Sequence, residues 1–296
     1  MGKTGKGYLF AILSAIIFGS MPLMAKHIYA EGVTPMTLVF LRNFIALLPL
    51  GILAYKEQKT LKIPVKKLPA ISLISVLGCS ITPIMLFTAY QFIDSSTATV
   101  FHFIYPAAVV LAEILFMKKK AHLHNIVSVL LCVLGISLFY SPQQTLNLAG
   151  SVLALASGLT FAAYVVLLAR FDKTSVSGFL FSFYVAAVSS VFSFVVCLCA
   201  GMLALPTSLL GWGLCILFSI LVTTVAVVLF QRSTFLIGSE RTSILSTLEP
   251  ITSVVIGVVV FSEPLGLRDL IGSALVVLAS VLIAVFDFKK SAKEKA

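Results

Sequence analysis

The sequence predicts an all-α, polytopic membrane protein of ten transmembrane helices arranged as two inverted five-helix repeats. Three observations predict it. The 296 residues are 59% hydrophobic and 11% charged, with a mean hydropathy of +1.11, whereas soluble domains carry about a quarter charged residues. Ten apolar runs approach the length of about 20 residues that crosses a bilayer as a helix. The chain also resembles itself at an offset of 143 to 144 residues.

The runs follow in order. The first, 8–29, comes after Lys3 and Lys6; no small-residue cleavage pattern follows it, so it reads as a retained helix and not a signal peptide. The second, 34–55, contains Arg42 and ends in a loop bearing Lys56, Lys59, Lys62, Lys66 and Lys67. The third is 68–90, and the fourth, 96–117, carries His102, Tyr105, Pro106 and Glu113 before Lys118, Lys119 and Lys120. The fifth, 124–140, holds Gly135, and the sixth, 148–170, holds Tyr164 and closes on Arg170 and Lys173. The seventh is 177–200, and the eighth, 210–231, stops before Arg232. The ninth, 242–262, contains Glu249 and Pro250, and the tenth, 268–287, precedes a basic tail, 288–296. These runs are continuously apolar and lack the ten-residue alternation of a transmembrane barrel.

A net charge of +10 on a soluble chain would suggest nucleic acid. With ten spans and an inner N-terminus, however, 18 of the 21 Lys and Arg residues fall on one side, leaving Lys26 and Arg268 outside and Arg42 within a span. Positive loops stay cytoplasmic, so both termini are expected on the cytoplasmic side of the cell membrane, with the basic loops facing anionic lipid. A nucleic-acid partner is not expected. The cysteines (Cys79, Cys132, Cys197, Cys199, Cys215) are odd in number and lack metal-type spacing with His, so no metal or cofactor is expected.

At an offset of 143, "GYLFAILSAIIFGSMPLMAKHI" (7–28) falls on "GSVLALASGLTFAAYVVLLARF" (150–171). At 144, "IDSSTATVFHFIYPAAVVLAEILF" (93–116) falls on "IGSERTSILSTLEPITSVVIGVVV" (237–260), pairing Pro106 with Pro250 and Tyr105 with Glu249. The units are 7–140 and 148–287. Each contains five spans, an odd number, so the second must enter the membrane inverted. Secondary transporters use this plan to expose one mid-membrane site alternately to each side.

The stretch "LEPITSVVIGVVVFSEPLGLRDLIGSALVVLASVLI" (248–283) resembles the signature end of the EamA family of the drug/metabolite transporter superfamily. "YPAAVVLAEILF", "GSMPLMAKHI" and "VFLRNFIALLPLGIL" fit the same pattern, so the resemblance covers roughly residues 7 to 285. It implies ten helices in two inverted repeats, a substrate cavity between the halves, and export or exchange of small organic solutes. The family's repeat usually carries an acid after its fourth helix; Glu263 supplies it in the second half, but Lys119 stands in its place in the first. Related small multidrug-resistance proteins put their coupling carboxylate in the first helix, yet the first and sixth runs here contain no Asp or Glu.

Ionisable residues are costly inside a bilayer and usually face a cavity or the protein interior. Glu249 lies about seven residues into the ninth run and shares a helical face with Ser246, Ser253 and Gly257. It reads either as a proton or cation ligand in the translocation cavity or as a hydrogen-bonded packing element. Pro250 removes a donor and frees carbonyls nearby. His102 reads as a packed imidazole or a proton relay, and Glu113 as an ion-pair partner of Lys118. Arg42 must find a partner: an anionic substrate group, the interface, or, as the favoured expectation, a structural carboxylate bridge. Tyr90, Tyr105, Pro106 and Tyr164 complete the cavity candidates. Gly135, Gly272 and Ala279 suit close helix contact, including a homodimer.

The expected function is a secondary transporter of a small metabolite or organic compound, open to proton coupling. The alternative is a channel-like or lipid-moving protein of the same fold. No Walker-type loop, HExxH, GxSxG or clustered carboxylate motif appears, so an enzyme is not expected. Arg42 and Glu249 together permit a zwitterionic substrate such as an amino acid.

Overall fold

The protein is described here by a computed structural model, which covers residues 3–117, 123–138, 147–172, 174, 176–246, 248–262 and 266–293. Among them, every regular element is helical. The principal segments are α1 (Thr4–Ala30), α2 (Pro35–Gln58), α3 (Val65–Ala89), α4 (Ser95–Ala112), α5 (Leu123–Ser137), α6 (Leu148–Arg170), α7 (Gly178–Cys199), α8 (Leu209–Ile237), α9 (Arg241–Phe261) and α10 (Leu267–Lys293). Eight of these are long and apolar enough to cross a membrane, against the ten expected. The difference lies in α5 and α10, whose apolar stretches among the described residues are Ile126–Gly135 and Leu270–Ala279. Lys118, Lys119, Lys120, Lys173, Glu263 and Lys295 lie outside the described residues, as does the side chain of Glu113.

Local chemistry sets the helix ends. Thr34, Asn147, Ser177 and Ser208 each cap a helix by accepting a backbone N–H three residues on, at 2.9 to 3.2 Å, which satisfies a donor that the helix cannot. Lys59 closes α2 in the left-handed region, its N–H donating to the Tyr55 carbonyl at 2.8 Å.

Two helices contain wide, π-helical turns: Val76–Ile81 in α3 and Ser219–Val227 in α8. Their first residues are separated by the same 143 positions that align the two halves in sequence. Two others are broken. The fourth pauses at Phe103 and Ile104 and the ninth turns at Ser246; the helices that follow begin at Tyr105 and Leu248, with the prolines that the sequence pairs, Pro106 and Pro250, in their first turns. Proline at the start of a helix forfeits no hydrogen bond.

The helices pack in reciprocal sets. α2 lies along α7 and α5 along α10; α1 packs on α8 as α3 does on α6, and α9 on α1 as α4 does on α6. Hydroxyls tie these contacts: Ser14 donates to the Ala226 carbonyl at 2.9 Å and Ser189 to that of Ser75 at 3.0 Å, the short polar links that hold helices where apolar surface gives no driving force. Gly135 belongs to the α5–α10 contact, where a Cβ would stand 2.7 Å from the Gly272 carbonyl. The contact these small residues serve is therefore within the chain. Leu48, Val191 and Val259 point outward, more than 60% exposed, as a lipid-facing surface requires.

The end of α2 and the loop after it meet the loop after α6 and the neighbouring helix ends at one end of the bundle. Arg232 pairs with Glu57 at 3.3 Å and Lys67 with Asp172 at 3.0 Å. The Ser177 N–H donates to Gln58 and the Tyr184 hydroxyl to the Leu61 carbonyl.

Candidate functional site

The breaks and wide turns surround one internal cavity. Arg42 of α2, Cys79 and Thr82 of α3, His102 of α4, Phe161 and Tyr164 of α6, Phe230 of α8 and Glu249 of α9 all line it, with Phe18 and Phe87 closing the aromatic wall. The space open to the centres of water molecules is about 50 Å³, room for a few waters at roughly 10–15 Å³ each. Four residues singled out in the sequence, Arg42, His102, Tyr164 and Glu249, therefore meet around one space.

Glu249 is 4% exposed. Its backbone N–H donates to the Ser246 carbonyl at 2.9 Å, across the break, and its carboxylate has no hydrogen bond or ion pair among the described residues. The neighbouring serines bond elsewhere: the Ser246 hydroxyl donates to the Thr242 carbonyl at 2.9 Å, and Ser253 bonds Thr99 at 3.1 Å. The carboxylate thus faces the cavity without a described partner.

Arg42 is equally buried, with its Nε unpartnered and its guanidinium 5.7 Å from the centre of the Phe87 ring. The expected carboxylate bridge does not form among the described residues, because the helix places Arg42 against α3 and an aromatic ring and beyond ion-pair distance of Glu249. Two groups able to carry opposite charges thus line the same cavity without pairing.

His102 is held by Ser157, whose oxygen lies 2.8 Å from Nδ1. The Ser157 proton has a closer acceptor in the Ala154 carbonyl at 2.6 Å, so Nδ1 is assigned the proton and Nε2 keeps a lone pair. Tyr105 sits behind this wall, fully buried, edge-on to Phe161 at 4.8 Å and 5.7 Å from the His102 ring. Pro106 and Pro250 stand in the first turns of their half-helices and lie outside the lining. Tyr90 and Ser253 both reach Thr99, at 3.5 and 3.1 Å, and join α3, α4 and α9 away from the cavity.

Sequence reasoning missed Gln231. It is 1% exposed, accepts from Ser182 at 2.6 Å and donates to the Tyr164 hydroxyl at 3.4 Å, fixing that phenol at the cavity wall. The sequence places it at the end of a span; the structure carries α8 on to Ile237. Phe161, Phe230 and Gly78 carry no signal that separates them from lipid-facing neighbours.

The model of the EamA-like transporter family matches residues 5–141 and again residues 148–285. An uncharacterized transporter of Haemophilus influenzae is 27% identical over 165 residues, covering 53% of this chain and 54% of that protein. One from Clostridium kluyveri is also 27% identical, over 55% of each; the match thus spans about half the length of these two relatives. The uncharacterized inner membrane transporter YicL of Salmonella typhimurium aligns over 99% of both chains at 24% identity. A solved crystal structure superposes with a TM-score of 0.66 at 14% identity, covering 95% of this chain and 97% of that one, a likeness of fold. With the family matched across both halves, the chain is a multi-pass membrane protein that belongs to the EamA-like transporter family.

Proposed function

We propose that the chain is a secondary carrier of the cytoplasmic membrane that moves a small organic solute outward by alternating access at the Glu249 cavity. In this reading the chain forms two inverted repeats of five spans each, with both termini inside. The observation that carries it is a pair of ionisable groups of opposite kind: Arg42 from the first matched stretch and Glu249 from the second line one cavity and do not pair. Reciprocal packing of the helices supports the repeat, and discontinuous helices at the site are a feature of such carriers.

The solute class follows from the lining. A guanidinium suits a carboxylate and a carboxylate suits an ammonium, while Phe87, Phe161 and Phe230 offer apolar walls. A zwitterion with an apolar body fits these groups. At about 50 Å³ the space is too small for such a solute, so helices must part to admit it, as alternating access requires. Glu249 is the carboxylate in the lining, and protonating it would relieve the cost of an unpaired buried charge, which makes it the candidate for proton exchange.

Counterflow tests the reading. Proteoliposomes preloaded with unlabelled amino acid should accumulate labelled amino acid saturably, whereas unsaturable conductance would establish the channel reading instead. Unchanged transport after the proton gradient is dissipated would remove proton coupling while leaving the carrier intact. A thermal-stabilisation screen of amino acids, nucleosides and cationic dyes would identify the solute class.

A further inference from the structure

A second, larger space lies at the basic end of the bundle, where the start of α3 meets the end of α6. This groove has a volume of about 580 Å³, within the usual range of small-molecule sites. Lys66, Lys67 and Arg170 line it together with the apolar Leu73, Ile74 and Leu167, so one part of its rim, the mouth, is basic.

The charges at this mouth are unevenly spent. Asp172, the acid in the groove, takes Lys67 at 3.0 Å and the Thr174 N–H at 3.0 Å, and also bonds the Thr174 hydroxyl. Lys67 is consumed in turn, donating as well to the Asp172 and Thr174 carbonyls. Lys66 and Arg170 are exposed and have neither an ion pair nor a side-chain hydrogen bond among the described residues. The end of α2 and the loop after it carry Lys56, Lys59 and Lys62 outside the groove, and their one acid, Glu57, is already paired with Arg232. The mouth therefore carries uncompensated positive charge.

Behind it the wall turns apolar, and Leu73 is 51% exposed one to two turns from Lys66. A soluble anion would satisfy the mouth and leave that wall bare. A neutral acyl chain would cover the wall and leave the cations unmet. An anionic phospholipid satisfies both, and basic pockets between helices at the cytoplasmic face are where such headgroups bind.

We propose that this groove holds one anionic phospholipid, with its phosphate between Lys66 and Arg170 and an acyl chain along Leu73 and Leu167. Because α3 and α6 both line the central cavity, the lipid would brace two of its walls from the membrane side.

The test uses the purified full chain in nonionic detergent, with the unfolding temperature followed against phosphatidylglycerol, phosphatidylcholine of the same acyl chains, and inorganic phosphate. Phosphatidylglycerol should stabilise the protein more than phosphatidylcholine, and phosphate alone should not. Lys66→Gln with Arg170→Gln should weaken phosphatidylglycerol binding about thirtyfold, taking about 1 kcal/mol per cation near a lipid headgroup. Lys59→Gln with Lys62→Gln, on the same loop but outside the groove, should retain the preference. If the first pair folds poorly, Lys66→Arg with Arg170→Lys keeps both charges and should keep it too. Equal stabilisation by the two lipids, a response to phosphate alone, or an unchanged preference in the Lys66/Arg170 double variant would each overturn the proposal.

Discussion

Gly19 lies against the carbonyl of Glu249, so close that an added Cβ would stand 2.6 Å from that oxygen. Gly158 makes the same approach to the carbonyl of His102, at 2.4 Å. Each glycine brings a neighbouring helix onto the backbone of a broken one, and in both cases the residue touched lines the cavity. A side chain at either position must push backbone aside, and backbone yields less readily than a flexible side-chain end. Gly19→Val and Gly158→Val are each expected to cost about 1–3 kcal/mol as overpacking and to reduce transport by displacing Glu249 or His102. Gly213→Ala serves as the control, since nothing stands within 4 Å of its added Cβ; it should leave stability equal or raised by about 1 kcal/mol from helix propensity. Thermal unfolding of the purified variants decides the matter, and equal effects at all three positions would remove the close-approach account.

Glu249→Gln keeps the shape of the side chain and removes its charge. Because the carboxylate makes no described hydrogen bond or ion pair and glutamine keeps its shape, the folded yield is expected to match that of the parent while gradient-driven transport falls at least tenfold. Proton coupling adds a sharper expectation: if Glu249 carries the proton, any exchange that survives in the variant should no longer respond to the pH gradient. A collapsed yield with normal activity per folded molecule would return Glu249 to a structural role.

How much of this was legible in the sequence depends on contrast. Glu249, Arg42 and His102 stand out because a charge or an imidazole inside an apolar run is costly, and all three reach the cavity. Tyr90 and Ser253 looked similar but serve the contact with Thr99, since one helical face does not fix which neighbour it meets. Phe161, Phe230 and Gly78 were invisible, because an aromatic or a glycine in an apolar helix reads the same toward lipid or toward a cavity. The wide turns at Val76–Ile81 and Ser219–Val227 have no sequence signature, and their extra residue per turn is set by packing. The half-helix breaks were half legible: the paired prolines marked them, but proline alone does not distinguish a kink from a fresh start.

Arg42 presents the opposite balance to the glycines. Its Nε has no partner and the residue is 4% exposed, so the folded protein bears the cost of a buried cation that has no ion pair among the described residues. Arg42→Met fills a similar volume without the charge. The expected outcome is a higher unfolding temperature together with loss of binding of any solute bearing a carboxylate, a trade between stability and function seen at strained sites. Arg42→Lys should keep the charge yet bind more weakly, because an ammonium lacks the planar fork that meets a carboxylate. Unfolding curves with and without amino acid ligands read both effects, and a destabilised Arg42→Met variant would mean that the guanidinium has structural partners after all.

The tie between the loops supplies a pH test that separates the cavity from the bundle's basic end. The Thr174 backbone N–H, then its hydroxyl and then Lys67 hold the Asp172 carboxyl down to about 2, from 3.8. A carboxyl lowered on folding stabilises the folded state above its unfolded value, and that contribution fades as the pH falls from near 4 toward 2. Between pH 5 and 8 Asp172 is ionised in both states, so its contribution does not vary there. Asp172→Asn is therefore expected to leave the pH profile of transport from 5 to 8 unchanged in shape, whatever it does to the absolute rate. If Glu249 exchanges a proton, Glu249→Gln should flatten the same profile. A profile that Asp172→Asn flattens and Glu249→Gln leaves intact would move the pH-sensitive step from the cavity to the loops.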